Sequence, residues 1–244
     1  MTRIETPVLI VGAGPVGLTA SLLLSKQGIA NRVVDRRPGP HRAPQAHVVN
    51  PRTLEIFRQL GLDVARLRAL ATPREDGGFV SWMTSLGGAE LGRLPYERQG
   101  DDVLDLTPEP IVNLPQHILE PVLLDVARTA GAGLAEIGWL QEWQRQACDG
   151  DGVTSVVRDL TTGEEYEVRS SFLLAADGAG SRVRKSLGIP MIGPDRLQSF
   201  VMIHFEANLR ELVRDRPEGI VRRLGAASGF ALVLCGYLAA RRGM

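Results

Sequence analysis

Short apolar runs and amphipathic stretches alternate along this chain. Residues 8–11 are four consecutive apolar positions, which predicts a strand buried on both faces of a parallel sheet. Mostly apolar residues over 15–28 predict a helix, and residues 32–35 predict a second strand. This order of strand, helix and strand is typical of the βαβ unit that opens an α/β fold.

The pattern changes after the second strand. Residues 36–51 contain several prolines and predict a loop, and a helix is predicted over 52–60. Short alternating runs within 72–114 predict a small antiparallel excursion from the parallel core. A helix with one apolar face is then predicted over 116–130.

A series of hairpins follows this helix. Strands are predicted over 153–160 and 164–169, with turns at 149–152 and 161–163. These antiparallel strands differ from the helical crossovers that join parallel strands. A further buried apolar strand is predicted over 171–176, and it leads directly into a loop and a helix. The predicted fold is therefore α/β, a Rossmann-like parallel sheet with an antiparallel β excursion.

Three glycines stand between the first strand and the first helix at the spacing G-x-G-x-x-G. Gly12 permits a tight turn, Gly14 lets a pyrophosphate approach the backbone, and Gly17 lets the helix pack close to the strand. The N-terminus of the helix would then face the diphosphate with free N–H groups. Asp35 ends the second strand 18 residues after Gly17, where a carboxylate accepts hydrogen bonds from ribose hydroxyls. These features together predict a dinucleotide site, and a glycine-rich structural turn is the alternative.

A second candidate site follows the strand at 171–176. Asp177 and Gly178 lie where that strand meets a helix, and ligands bind at this end of parallel strands. Two interpretations of Asp177 stay open, a cap for the helix and a partner for a ligand hydroxyl.

Composition narrows the class of protein. The chain has 244 residues and a formal net charge of zero, so no positive field indicates a nucleic acid or a membrane as partner. Cys148 and Cys235 lie far apart, which favours a reducing, cytoplasmic compartment. The four histidines lack metal-ligand spacing, so no metal site is predicted. No basic and apolar leader precedes the first strand.

These motifs resemble those of the FAD-dependent aromatic hydroxylases, single-component monooxygenases with a para-hydroxybenzoate-hydroxylase-like fold. The similarity extends from about residue 7 to 218, and the phenol and aromatic-polyketide hydroxylases are the nearest branch. Four segments carry it: 12–17, 45–57, 114–120 and 176–184.

The resemblance implies a set of cofactor-binding residues: Gly12, Gly14, Pro15, Gly17, Asp35, Arg36, Arg52, Gln116, Asp177 and Gly178. It implies that the glycines contact the pyrophosphate of FAD, that Asp35 binds the adenosine ribose, and that Arg36 lies near the adenine or the phosphates. Gln116 would contact the ribityl or phosphate region, and Asp177 with Gly178 would complete the pocket. Arg36 as a surface charge and Gln116 as an ordinary helix residue are the alternatives. No catalytic side chain is predicted.

The chain also departs from the family. Asp35 stands where Glu is commoner, and Gln45 stands where a basic residue is frequent. A later Gly-Asp motif of the family is missing, and residues 224–240 are almost wholly apolar. We therefore expect a FAD-binding domain over 1–190, the start of a substrate domain over 191–218 and an atypical tail over 219–244. A C-terminally truncated product with an incomplete sheet is expected, and a membrane span in the tail is an alternative, since seventeen residues are close to the shortest span.

The resemblance implies an oxidoreductase that hydroxylates a small aromatic or phenolic substrate with FAD, NADPH or NADH, and O2. Two alternatives stay open: a non-catalytic remnant that binds a nucleotide weakly or not at all, and an NAD-dependent dehydrogenase. The substrate, the choice between NADH and NADPH, and the oligomeric state do not follow from the sequence.

Overall fold

The structure is a computed structural model that describes residues 2–43, 45–74, 79–84, 88–95, 100–130, 133–194 and 220–223. The chain divides into two compact units. The first comprises Met1–Arg42, Leu60–Leu62 and Gln116–Ile192, and the second comprises Ala43–Gln59, Asp63–Pro115 and Gly193–Met244.

The described residues form strands and helices in both units. The strands are β1 (Arg3–Val11), β2 (Asn31–Asp35), β3 (Val48–Val49), β4 (Phe79–Met83), β5 (Glu90–Pro95), β6 (Val112–Asn113), β7 (Ala135–Trp139), β8 (Gln141–Asp149), β9 (Gly152–Asp159), β10 (Glu165–Ala175) and β11 (Ile220–Arg223). The α-helices are α1 (Pro15–Lys26), α2 (Pro51–Gln59), α3 (Val64–Leu70), α4 (Gln116–Ala130) and α5 (Arg182–Ser186), and a short 3-10 helix covers Asp101–Val103.

A mixed sheet of six strands, in the order β7-β2-β1-β10-β9-β8, forms the centre of the first unit. The strands β7, β2, β1 and β10 are parallel to one another. The strands β10, β9 and β8 pair antiparallel, as the predicted hairpins require. The α/β fold class and the mostly parallel sheet predicted from the sequence are therefore confirmed.

The core of the first unit is built on β1. All four residues of the apolar run at 8–11 are buried, and Leu9 and Ile10 are completely inaccessible to solvent. The helices α1 and α4 pack together, and each contributes a fully buried leucine, Leu18 and Leu123. Full burial of such a side chain stabilises the folded state by about 1.5–3 kcal/mol. This packing fixes the start of α1 at the end of β1.

The strand β10 differs from the sequence-based expectation. Two strands were predicted, over 164–169 and 171–176, whereas the structure has one continuous strand. Ser170 lies at the junction, where it is buried and its hydroxyl donates a hydrogen bond to the carbonyl of Val153. The polar residue therefore interrupts the apolar pattern without interrupting the strand.

The second unit contains α2, α3 and two small sheets. The strands β3 and β6 pair antiparallel, and a separate sheet has the order β11-β4-β5. The antiparallel pairing of β4 with β5 agrees with the excursion predicted within 72–114. The predicted division near residue 190 stays a prediction, because 195–219 and the apolar tail at 224–244 lie outside the described residues.

Candidate functional site

The turn between β1 and α1 is possible only with glycine at two positions. Gly12 has a φ of +106°, and a Cβ added there would lie 2.3 Å from the carbonyl oxygen of Ala176. A Cβ on Gly17 would lie 1.8 Å from the carbonyl oxygen of Gly12. Gly14 differs, since the nearest atom to its added Cβ is Glu120 Oε1 at 4.0 Å. Gly12 and Gly17 therefore shape the turn, and Gly14 leaves space in front of it.

The N-terminus of α1 lies at this turn. The helix has 12 residues, it begins at Pro15, and the preceding Gly14 provides no side-chain cap. The first turn of the helix carries no acidic residue. Backbone N–H groups at such a helix start lack partners within the helix, and together with the helix dipole they attract anions.

Asp35 lies beside the turn at the end of β2. Its Oδ2 accepts a hydrogen bond of 2.8 Å from the backbone N–H of Ala13. Arg37 donates three more, from its backbone N–H and its Nε to Oδ1 and from its Nη2 to Oδ2. Burial alone would raise the pKa of Asp35, but the hydrogen bonds from Arg37 and Ala13 outweigh it and hold the pKa below its ordinary value.

Four donors occupy the four acceptor positions of the Asp35 carboxylate. A ribose hydroxyl at Asp35 would therefore compete with one of these four contacts. This competition is a structural feature that the sequence motif does not reveal.

Arg37 connects Asp35 to a second carboxylate. Its Nη1 lies 3.5 Å from Oε2 of Glu120, a side chain of α4 that is completely buried. Glu120 also accepts hydrogen bonds from the backbone N–H of His41 at 2.7 Å and from the Gln116 carboxamide at 2.6 Å. We call these five residues, Asp35, Arg37, His41, Gln116 and Glu120, the acidic cluster. The single positive charge of Arg37 is shared between the two carboxylates, and neutral N–H donors satisfy their remaining acceptor positions.

The sequence analysis placed Arg36 near the adenine or the phosphates, with a surface charge as the alternative, and that placement stays a prediction. The arginine that contacts Asp35 is its neighbour Arg37. Arg36 is exposed. The pKa of Glu142 in β8 is lowered first by a hydrogen bond from Gln144, then by Arg182, and only to a smaller extent by the charge of Arg36. The chain bends over residues 36–40, and the backbone N–H of Arg37 donates to Asp35 Oδ1 at 2.9 Å, which holds Arg37 beside Asp35.

The loop after β10 lies next to the glycine turn. The backbone N–H of Ala176 donates to the carbonyl of Val11 at 2.8 Å, and Ala176 is the residue that a side chain on Gly12 would strike. Asp177 accepts hydrogen bonds from the Ser181 hydroxyl and from the backbone N–H groups of Arg182 and Val183. Ser181 is the N-cap residue of α5, and Asp177 accepts hydrogen bonds from the first N–H groups of that helix, in line with the first of its two interpretations. Gly178 follows Asp177 with a φ of +81°.

The site residues predicted from the sequence thus fall into two groups. The structure brings the glycine turn, Pro15, Asp35, Gln116 and the loop of Asp177 together in the first unit. Arg52 belongs to α2 in the second unit, where its exposed guanidinium pairs with Glu55 at 3.0 Å. Sequence reasoning missed Arg37, His41 and Glu120.

We expect Arg37→Ala and Arg36→Ala to change the free energy of unfolding by different amounts. Loss of Arg37 leaves Asp35 and Glu120 without their shared cation, so the free energy of unfolding should fall by about 1–3 kcal/mol. Arg36→Ala should change it by less than about 0.5 kcal/mol, because Arg36 is exposed. Urea titrations of the two variants measure the difference, and equal losses would contradict the assignment.

The parallel strands, the glycine turn and the acidic end of β2 define the first unit as a dinucleotide-binding domain of the Rossmann type. Residues 5–237 match the family model described as "FAD binding domain". The chain belongs to this family.

Individual relatives agree with the family. The chain is 36% identical over 220 residues to 2,4-dichlorophenol 6-monooxygenase of Delftia acidovorans, covering 88% of this chain and 37% of that protein. It is 36% identical over 190 residues to phenol 2-monooxygenase of a Pseudomonas species, covering 76% of this chain and 30% of that protein. The chain therefore spans about a third of the length of these curated relatives.

Solved structures of flavoproteins resemble this chain as well. The flavin-dependent monooxygenase PieE, in complex with FAD and substrate, has a TM-score of 0.70 and 40% sequence identity, covering 77% of this chain and 33% of that chain. The rebeccamycin biosynthetic enzyme RebC, with reduced flavin, has a TM-score of 0.67 and 30% identity, covering 77% of this chain and 35% of that chain. In the part of the chain that the structure describes, every helix is too short or too polar to cross a membrane.

Proposed function

We propose that this chain is the FAD-binding part of a monooxygenase that hydroxylates an aromatic or phenolic substrate with NADPH or NADH and O2. One observation carries the proposal. The glycine turn after β1 and the loop after β10 lie side by side at the carboxyl ends of parallel strands, with Asp35 beside them. Dinucleotides bind at this end of such sheets.

The geometry of the turn fits the diphosphate of FAD. Gly14 leaves space in front of the start of α1. Gly12 lets the turn lie close to the backbone of Ala176, and Gly17 lets α1 lie close to the carbonyl group of Gly12. The pyrophosphate would accept hydrogen bonds from the first N–H groups of α1. Asp35 would bind the adenosine ribose in exchange for one contact with Arg37. Asp177 and Gly178 would border the same site.

FAD, when bound, supplies the redox chemistry with NAD(P)H and O2, and the protein supplies binding and orientation. The residues of this chain have the second role. Asp35 and Glu120 hold Arg37, and α1 presents its N–H groups to the phosphates. We assign no side chain as an acid, base or nucleophile.

The substrate class is inferred from the relatives. These relatives include a phenol monooxygenase and a dichlorophenol monooxygenase. An NAD-dependent dehydrogenase is less well supported, because the matching family is one of FAD-binding domains and because the hairpins β8-β9-β10 interrupt the simple repeat of βα units. A non-catalytic remnant is the second candidate, and measurements of FAD binding and of turnover distinguish it from an enzyme.

The test is a titration of the purified chain with FAD, followed by absorbance over about 350–500 nm. We expect stoichiometric binding of FAD and no comparable binding of NAD. Tight binding of NAD without FAD would revive the dehydrogenase, and binding of neither would support the remnant. Oxidation of NADPH or NADH that increases on addition of phenol then distinguishes a working enzyme from a domain that binds FAD without turnover.

A further inference from the structure

An aromatic side chain ends the strand next to the acidic end of β2. Trp139 is the last residue of β7, and it pairs in register with Asp35, the last residue of β2. Residues paired in this way on parallel strands direct their side chains to the same face of the sheet. The indole ring is half-buried, and Cζ of Arg37 lies 5.8 Å from the centre of the ring. Trp139 therefore borders the acidic cluster.

The order of the strands places this ring in line with the proposed cofactor. The strand β2 has β1 on one side and β7 on the other. The diphosphate is proposed at the turn after β1, and the adenosine ribose at Asp35 after β2. Adenine and the diphosphate are attached at opposite ends of that ribose, so the base extends past β2 towards the next strand end, which is Trp139 of β7.

The chain directly after Trp139 adopts a backbone conformation that is rare for a residue with a side chain. Leu140 has a φ of +57°, and among the residues that the structure describes it is the one non-glycine residue with a positive φ. Its N–H donates to the carbonyl of Arg37 at 2.9 Å, and its carbonyl accepts from the N–H of Leu160 at 2.8 Å. Strain of this kind persists where the surrounding structure fixes it, and it is concentrated at binding sites. These two hydrogen bonds hold the end of β7 beside the segment that carries Arg37.

We propose that Trp139 is the platform on which the adenine ring of FAD stacks. An aromatic ring beside a nucleoside site offers its π-face to a base, and the planar guanidinium of Arg37 next to it can contact the same base. The inference rests on the proposed function, which places the ribose at Asp35. The glycine turn and Asp35 account for the diphosphate and the ribose, and Trp139 accounts for the base.

The test uses FAD and ADP, which share the adenine, the ribose and the diphosphate. Trp139→Leu keeps an apolar side chain but removes the aromatic ring, so isothermal titration should show both ligands bound about tenfold more weakly. Trp139→Phe keeps a smaller ring, and its affinities should stay within about threefold of those of the original chain. Trp82→Leu is the matched control, because Trp82 is a half-buried tryptophan of the second unit, and it should change neither affinity.

Fluorescence gives a readout that a purely structural role of Trp139 would not change. The chain has three tryptophans, and the third, Trp143, is buried in the core of the first unit. A base stacked on Trp139 should quench the emission of that indole, so ADP should lower the fluorescence of the original chain and of Trp82→Leu. Saturation with ADP should leave the fluorescence of Trp139→Phe unchanged, although this variant still binds the ligand.

The outcomes separate this proposal from the proposed function. If the original chain binds neither ADP nor FAD, the proposed function fails, and this proposal fails with it. If the chain binds both and Trp139→Leu keeps both affinities within about twofold, only the stacking role is wrong. Equal losses of affinity in Trp139→Leu and Trp139→Phe, or quenching that persists in Trp139→Phe, would also overturn the stacking role. If Trp139→Leu does not fold, the fluorescence of Trp139→Phe with ADP decides alone.

Discussion

Gly17→Ala is expected to abolish FAD binding and to lower the free energy of unfolding by at least about 3 kcal/mol. The new Cβ would lie 1.8 Å from the carbonyl oxygen of Gly12. That carbonyl cannot withdraw easily, because the N–H of Gly12 is bonded to Val34 in the neighbouring strand at 2.8 Å. The helix α1 would have to move away from β1, and with it the N–H groups proposed to bind the diphosphate.

Gly14→Ala and Gly39→Ala are the controls for this variant. A Cβ on Gly14 meets only Glu120 Oε1 at 4.0 Å, an ordinary contact, so the fold should persist. The same methyl group would occupy the proposed diphosphate space, so FAD should bind at least about tenfold more weakly. Gly39 has open space and should tolerate alanine in both respects. Urea titration and FAD titration of all three variants are the measurements. FAD binding unchanged by Gly14→Ala would contradict the proposed position of the diphosphate.

The elements that form the glycine turn could be predicted from the sequence because their signals are local. The apolar run at 8–11, the glycine spacing and the apolar face over 116–130 each depend on neighbouring residues, and the structure has β1, α1 and α4 there. The strand β8 lacked such a signal. It lies at the edge of the sheet, and its residues are mostly polar and only partly buried. Edge strands need no continuous apolar pattern.

The acidic cluster could not be predicted in full for a different reason. The contact between His41 and Glu120 joins residues 79 positions apart, so no local pattern indicates it. Gln116 and Glu120 are four residues apart on α4 and therefore share a face, which was a usable signal. A buried glutamate in an otherwise apolar helix face is unusual enough to indicate a partner. The contact between Arg37 and Asp35 depends on the path of the backbone after β2, which only the structure supplies.

The cluster gives the cofactor site a property that the motif alone lacks. Four donors already satisfy Asp35, so the carboxylate holds the glycine turn through Ala13 before any cofactor binds. Ordered donors that need no rearrangement lower the entropic cost of binding. A ribose bound at Asp35, as proposed, would compete with Arg37, and this competition would reduce the gain in binding free energy. Asp35 therefore contributes both to the stability of the fold and to the proposed cofactor binding, and its replacement should affect both.

We expect Asp35→Asn to lower the free energy of unfolding by about 3 kcal/mol and to weaken FAD binding by at least about 100-fold. Asparagine keeps the shape but replaces one acceptor oxygen by an NH2 group, which must face a donor from Ala13 or Arg37. The site is buried, with 9% of the Asp35 side chain exposed, so water cannot replace the lost hydrogen bonds. Urea unfolding at neutral pH and FAD titration measure the two effects.

Asp149→Asn is the matched control, because Asp149 also forms a two-pronged pair with an arginine. It accepts two hydrogen bonds of 2.7 Å from Arg169, but 59% of its side chain is exposed, so its replacement should cost little stability.

The pH dependence of stability provides a second check on the role of Asp35. The pKa of Asp35 is lower in the folded state, so its contribution is complete above the unfolded value of about 3.9 and disappears as the pH falls through the folded value. The difference in the free energy of unfolding between the original chain and Asp35→Asn should therefore shrink only in acid. If that difference stayed constant down to pH values below the folded pKa of Asp35, the charge of the carboxylate would not be what stabilises the turn.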